Sequence, residues 1–381
     1  MVSPELVPAP PKQNIARSRE LDGLRGIAAL AVVFRHFFDL FPETGWTALW
    51  KISPLYLLIA GREAVVIFFV LSGFALHRMY LSSRGAGYRA FVIRRTLRIY
   101  GPYLAALAVA VVSDYLLSRG WRPHFSPWFN RTWTVPFRWY DVWTHLAFLG
   151  VYNNSVFDTA FWSLVHEMRI SIVFPLLCLF AAGRAGSGQV STALSLLILG
   201  SMATATFARN TDIGDSVHFA GLFILGIFIS ERKGRLAEWY GALSPASRIA
   251  LVMLTLFLFC YGRLLAHAFP EGYASLLDLP VALAASGIVV LAFSSPRLSA
   301  YLDSTPVAWL GKVSYSLYLV HGTILFGLIN LLNLRAPRLV LLALYLPLAL
   351  FAAGVFHAGI ERPLLYRSRK VTAATEQLNR R

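Results

Sequence analysis

LDGLRGIAALAVVFRHF, residues 21–37, decides how this chain must be built. From Gly26 to Phe34 it has no polar side chain, yet Arg25 and His36 bracket that run. The two lie 11 residues apart. At about 100° per residue that is three turns plus roughly 20°, so both fall on one helical face, roughly 16 Å apart along the axis. Gly26, Ala28, Ala29 and Ala31 lie between them. Small residues of this kind let a neighbouring helix or a ligand approach closely. Charges within an apolar span are costly and mark functional candidates.

The rest of the chain agrees with a membrane setting. Of its 381 residues 57% are hydrophobic and 14% charged, where a soluble domain carries about 25% charged residues. Mean hydropathy is +0.58. Intrinsic disorder, collagen-like repeats, a disulfide scaffold and a soluble enzyme are excluded. Net charge is +16, and only five of the 35 basic residues are lysine. That excess reads as the cytoplasmic Lys/Arg bias of a membrane protein, so no nucleic-acid partner is expected and membrane lipid is. Cys178 and Cys260 both sit in apolar runs and read as packing residues. No cluster has metal-ligand spacing, so no metal is expected.

A span needs about 20 apolar residues. Ten segments qualify, near 21–40, 60–80, 99–117, 160–182, 191–208, 216–230, 248–268, 275–294, 306–331 and 338–360, the sixth of them short. Residues 143–152 read as a re-entrant piece or a further span. The expected fold is an all-α polytopic membrane protein, a bundle of about ten transmembrane helices. Residues 1–20 and 361–381 are expected as cytoplasmic tails flanking one membrane domain at 21–360. Residues 1–20 have no apolar core before a cleavage site, so the first span reads as the insertion signal. With both termini inside, the inner segments hold about twice the Lys and Arg of the outer ones. Arg78, Arg84, Arg89, Arg94, Arg95 and Arg98 contribute most to that bias, and Arg119, Arg122, Arg131 and Arg138 oppose it.

Other polar residues fall at membrane depth. FWSLVHEMRI carries Glu167, with Ser163 and Ser171 one turn to either side. SYSLYLVH places Ser314, Tyr318 and His321 at i, i+4 and i+7, one helical face. RRTLRIYGPYL sets Arg95 and Arg98 at i, i+3 where a span leaves the cytoplasmic surface, and guanidinium forks suit phosphate. Each has a plainer reading. Arg25 can snorkel to lipid phosphate, Arg95 and Arg98 can be ordinary inside charge, and His36, Glu167 and His321 can be interhelical packing contacts. Together they suggest an anionic group held at the inner mouth and acid–base groups gathered deeper.

In order along the chain, these motifs resemble those of the acyltransferase 3 family of integral membrane acyltransferases, over about residues 20–360. The Arg/Lys-x10-His motif matches at Arg25 and His36, and FFVLSGFAL at 68–76 matches the second span. Arg95 and Arg98 match Arg-x-x-Arg, and Trp162, Ser163 and Glu167 match the Trp-Ser-Leu…Glu pattern. Ser314 through His321 resemble the late Ser-x-Ser-x-Tyr-x-x-His pattern. Gly322 departs from it, since proline often follows that histidine.

The resemblance implies an acyl-CoA-dependent O-acyltransferase, usually with acetyl-CoA as co-substrate. The implied acceptor is a hydroxyl of an envelope or exported glycan, and the implied location is a bacterial inner membrane. It also implies the membrane-only form, without the hydrolase-like domain that some members carry. On this reading His36 is the general base and Glu167 orients it or stabilises its charged form. Arg25, Arg95 and Arg98 bind the cofactor, with pairing to Asp22 the alternative for Arg25. Ser314, Tyr318 and His321 serve the oxyanion or the acceptor. An acyl-histidine route through His36 remains open. The loop 118–142, with Trp121, Trp128, Trp133 and Trp139, is an expected acceptor contact or an interfacial aromatic belt. A glycan or lipid transporter, or a non-catalytic scaffold of polysaccharide synthesis, would share the composition but not the need for an acyl donor.

Overall fold

A computed structural model describes residues 18–82, 87–150, 156–182, 187–207, 212–263, 278–332 and 337–378. These residues are helical with no strand among them. In chain order the helices are α1 (Arg19–Asp39), α2 (Gly45–Ile52), α3 (Gly61–Ser82), α4 (Gly87–Leu117), α5 (Trp139–Ala147), α6 (Trp162–Ala182), α7 (Ser187–Phe207) and α8 (Ile213–Glu231). They continue with α9 (Lys233–Ala242), α10 (Pro245–Tyr261), α11 (Asp278–Ser294), α12 (Pro296–Leu302), α13 (Thr305–Leu332), α14 (Arg338–Phe356) and α15 (Arg362–Leu378).

Each of the ten expected spans overlaps a helix, with 208, 264–268 and 275–277 of those ranges outside the described residues, but the count of ten is not reached. Among the described residues six helices are long and apolar enough to cross a membrane, or seven if the bent pair α11–α12 is one span. The shortfall has physical causes. α1 carries Asp22, Arg25, Arg35 and Asp39, too many charges for an ordinary span. The apolar parts of α7 and α10 are short, at Gly188–Gly200 and Pro245–Tyr261. The chain turns by 90° between α11 and α12, where Pro296 cannot continue the helix ladder. The segment expected at 143–152 overlaps the second half of α5, which is only nine residues long and too short to span, and its residues 151–152 lie outside the described ones.

Beyond the last expected span the described chain stays helical. After α14 the helix runs on through a π-helical turn at His357–Glu361 into α15, which packs along α4. That turn exists around a buried acid: Glu361 Oε2 accepts from Ser316 Oγ at 2.6 Å and pairs with His357 Nδ1 at 2.9 Å. Inserting one residue into the ladder re-aims a side chain, which is a common use of a π-turn.

Helix order within the bundle follows from burial. α13 is the central span, 78% of it buried, while only 22% of the α14–α15 span is buried. α13 lies between α1, α4 and α14, and α3 packs on both α1 and α8. Val112, Leu176, Leu339 and Phe351 face outward, exposed. Lipid tails compete with apolar side chains, so helices in a membrane are held by close packing and polar contacts rather than by exclusion from water. Glycines supply the closeness here. A Cβ on Gly26 would lie 2.6 Å from the Gly311 nitrogen, and one on Gly311 would lie 2.4 Å from the Asp22 carbonyl oxygen. Gly73 and Gly226 do the same for α3 and α8, with Cβ positions 2.2 Å from the carbonyl oxygens of Phe223 and Val70.

Because backbone cannot yield as a flexible side chain can, Gly26→Ala and Gly311→Ala should each force α1 and α13 apart. Both variants should show a lower yield of monodisperse protein in detergent and a lower melting temperature. Gly241→Ala, at a position with nothing within 4 Å, should match the wild type in the same assays.

Candidate active site

The α1–α13 crossing places His36 against His321, with Nδ1 of His36 2.9 Å from Nε2 of His321. The rings are nearly parallel, their planes 21° apart. Nδ1 of His321 faces the backbone carbonyls of Leu317 and Tyr318 at 3.0 and 2.9 Å. A carbonyl oxygen only accepts, so Nδ1 of His321 carries the proton and its Nε2 is bare. His36 must then donate from Nδ1, which leaves its own Nε2 unprotonated. The pair therefore presents one free imidazole lone pair on a half-buried residue, backed by a fully buried partner. Indole packing completes the pocket: the Trp128 ring lies 5.0 Å from His36 and 5.6 Å from Phe326.

Toward the N-terminal end of α1 a second cluster forms. Arg95 Nη2 donates to Glu167 Oε1 at 2.8 Å, and Arg95 Nε and Nη2 reach Ser171 Oγ at 3.1 and 2.9 Å. Ser72 Oγ donates to the same Glu167 oxygen at 3.2 Å. Arg25 donates to the Leu71 carbonyl at 3.0 Å and pairs with Asp22 at 3.5 Å. The Arg25–Asp22 alternative is thus the geometry found. Leu71, Ser72 and Gly73 serve three helices in succession: a carbonyl for Arg25 of α1, a hydroxyl for Glu167 of α6, and a flat surface for α8. Arg98 is exposed and makes no hydrogen bond or ion pair among the described residues.

The sequence-derived residues therefore divide into two groups. His36 and His321 meet, and Tyr318 stands beside them with its ring 6.0 Å from His321. Ser163 of the Trp-Ser-Leu stretch joins through a 2.6 Å hydrogen bond to the Tyr318 hydroxyl. Glu167 belongs to the arginine cluster, where its hydrogen-bond partners are Arg95 and Ser72. Ser314 donates to the Gly311 carbonyl of its own helix at 2.9 Å. Of the four tryptophans in 118–142, Trp128 and Trp133 turn inward, while Trp121 and Trp139 are exposed.

Of the buried acids that no motif marks, two touch α13. One is Glu361. The other is Asp158, in the segment before α6, whose Oδ2 accepts from the Thr323 backbone N–H at 3.1 Å and whose Oδ1 accepts from Ala160 N–H at 2.9 Å. Asp158 presses on the turn that carries His321. A Cβ at Gly322 would lie 2.5 Å from Asp158 Oδ1, so glycine at this position follows from the acid beneath it. A lone carboxylate in the run VFDTAFW was the signal available.

Taken together these features define a polytopic membrane enzyme with a histidine pair at one level and an arginine cluster at another. The family described as "Acyltransferase domain", of acyltransferase 3 type, matches residues 18–358, and the chain belongs to it. It is a membrane acyltransferase. A relative, the O-acetyltransferase PaAT-1 of Phomopsis amygdali, is 24% identical over 384 residues, covering 84% of this chain and 74% of the relative. No solved structure matches.

Two outcomes follow from the Asp158 buttress. Gly322→Ala should displace His321 and lower acyl transfer at unchanged expression, measured in membranes. Burial pushes the Asp158 carboxyl up to about 7, against hydrogen bonds from Ala160 and Thr323 that pull it down. In the unfolded chain that carboxyl titrates near 3.9. Between those values the folded state holds a proton that the unfolded chain has lost, so this group's contribution is full below about pH 4 and is lost as pH rises through about 7. Melting temperature in detergent should therefore fall more steeply from about pH 4 to about pH 7 in the wild type than in Asp158→Asn.

Proposed function

We propose that the protein is an acyl-CoA-dependent O-acyltransferase, with acetyl-CoA the donor and a hydroxyl of a sugar in an envelope or exported glycan the acceptor. The observation that carries this reading is the tautomer chain: Leu317 and Tyr318 carbonyls fix His321, and His321 leaves Nε2 of His36 free as a base. The Phomopsis relative's name supports O-acetyl transfer in particular.

In the proposed reaction Nε2 of His36 takes the proton from the acceptor hydroxyl as its oxygen attacks the thioester carbonyl. The tetrahedral intermediate collapses, the C–S bond breaks, and the departing CoA thiolate recovers the proton from His36. His321 accepts from the charged His36 through Nε2, the role a carboxylate plays in a Ser-His-Asp triad. Tyr318, held by Ser163, is the donor nearest the developing oxyanion. The assignment of His321 differs from the one its motif suggests: it orients the base, and Glu167 positions Arg95.

Exposed Arg98 beside Arg95 and Arg25 suits the phosphates of CoA. Arg25 and His36 sit roughly 16 Å apart along α1, a span that an extended phosphopantetheine arm covers. In this reading both termini face the cytoplasm of a bacterial inner membrane, CoA enters from that side, and the acceptor meets the other end of α1.

The test is transfer of labelled acetyl from acetyl-CoA by membranes holding the protein. His36→Ala should lower the rate about 10²–10⁴-fold, the usual worth of a positioned base. Arg98→Ala should raise the KM for acetyl-CoA and leave the rate at saturation nearly intact. Near-normal transfer by His36→Ala would exclude the base assignment, and indifference to acetyl-CoA would exclude the donor.

A further inference from the structure

Past the C-terminal end of α1, remote from Arg25, lies a cavity of about 240 Å³. Its polar lining is two ion pairs together with the hydroxyls of Thr47 and Ser126. Arg35 Nε contacts Asp39 Oδ2 at 2.8 Å, and Lys51 Nζ contacts Glu43 Oε1 at 2.8 Å. Two cations and two anions cancel, so nothing in this lining selects a charged ligand. What it offers is hydrogen bonding. Each carboxylate keeps a second oxygen outside its ion pair, and the Arg35 contact engages Nε and leaves the two terminal amino groups of the fork. Adjacent hydroxyls on one ring match such fixed acceptors and donors.

One wall of the cavity is Trp128, whose ring is also packed 5.0 Å from His36. An indole face suits the apolar C–H face of a sugar ring and leaves its hydroxyls free for the polar wall. The wall is built rather than incidental. Ser126 N–H donates to the Leu40 carbonyl at 2.8 Å, and Ser126 Oγ donates to the Asp39 carbonyl, so the Trp128 loop is tied to the end of α1. Asn130 fixes the loop from within, donating to the carbonyls of Arg122, Phe125 and Ser126 at 2.8, 3.2 and 3.1 Å. At about 240 Å³ the volume is below the roughly 300–1,000 Å³ of a drug-sized site, which suits one ring rather than an oligomer.

We propose that this cavity is the acceptor subsite: it holds a single neutral, polyhydroxylated ring against Trp128, oriented by Asp39 and Arg35, with one hydroxyl directed past the indole to His36. The proposal deepens the O-acyltransferase reading and rests on it. It assigns acceptor selectivity to residues that no motif of the sequence contains.

The experiment uses the full-length protein in detergent and two separate readouts. The first is binding without any acyl donor, by tryptophan fluorescence titration with methyl glucopyranoside, its glucuronate and glucosamine counterparts, and cyclohexanol. The second is acetyl transfer from acetyl-CoA to methyl glucopyranoside. The neutral hexoside should bind best, and Asp39→Asn and Trp128→Ala should each weaken its binding at least about tenfold. In transfer the same variants should raise the acceptor KM by a similar factor with a smaller change in kcat, as loss of uniform binding requires. Trp128→Phe, which keeps an aromatic face, should recover part of the loss. Monodisperse elution serves as the folding check for each variant.

A preference for cyclohexanol or for a charged sugar would overturn the proposal, and so would hexoside binding that both variants retain. The two readings can fail separately. Binding that depends on Asp39 and Trp128 without any transfer would overturn the enzyme's proposed reaction and keep the ring-binding cavity. Transfer with an unchanged acceptor KM in both variants would overturn the cavity and keep the reaction.

Discussion

Everything at the histidine pair depends on how closely α1 can approach α13. The two imidazoles come from residues 285 apart in sequence and meet at 2.9 Å. Side chains of this length meet so only where the backbones nearly touch. Gly26 and Gly311 give that contact: a Cβ on either would lie within 2.6 Å of backbone on the other helix. Glycine weakens an isolated helix by about 1 kcal/mol relative to alanine. In lipid that cost is offset by packing, because closeness is the main attraction between apolar helices. The same glycines that seem to weaken α1 as a helix fix it as one half of a site.

A second constraint is the need to satisfy charge away from water. Glu167 and Arg95 pair at 2.8 Å with side chains 21% and 7% exposed, and such a pair is stable only if the remaining hydrogen-bonding capacity is also used. Ser171 and Ser72 use it. This explains why serines cluster around the ionisable residues of α3 and α6. It also explains why Glu167 is held away from His36: a carboxylate given to the histidine would leave a buried guanidinium without its partner.

The sequence made legible what depends on local spacing. The apolar runs located ten of the helices but not α2, α9, α12 or α15, and on the face drawn through Arg25 and His36 it is His36 that meets α13 while Arg25 reaches α3. Ser314, Tyr318 and His321 were equally visible as one stripe. Which partner each residue takes was not legible, because partners are set by helix crossings between distant segments. Glu167 and His36 have similar depth by residue counting, yet Glu167 meets Arg95 and His36 meets His321. Asp158 and Glu361 were obscured for a different reason: each lies outside the motifs, and its importance comes only from the part of α13 it touches, Thr323 for Asp158 and Ser316 for Glu361. The span count of ten is not reached where composition and role separate. α1 is too charged to pass as a lipid-facing span because its charges point into the bundle, and α12 leaves the direction of α11 at Pro296.

The two ends of α1 differ in electrostatic character, and that difference bears on how a transferase avoids hydrolysing its donor. On the proposed reading the arginine end attracts a polyanion, while the far cavity, with its charges paired off, holds nothing that would bind the donor in the wrong orientation. Attraction at one end combined with neutrality at the other gives direction without a moving gate, a form of selection by what is left out. His36 lies between them, half-buried, and a base that can deprotonate a sugar hydroxyl can also activate water. On the same reading the Trp128 ring, packed against His36 and Phe326, limits how much water reaches that nitrogen. A sugar ring stacked on the indole would close the remaining path with its own apolar face. The acceptor would then supply both the nucleophile and the seal, and transfer would outrun hydrolysis only when the cavity is filled.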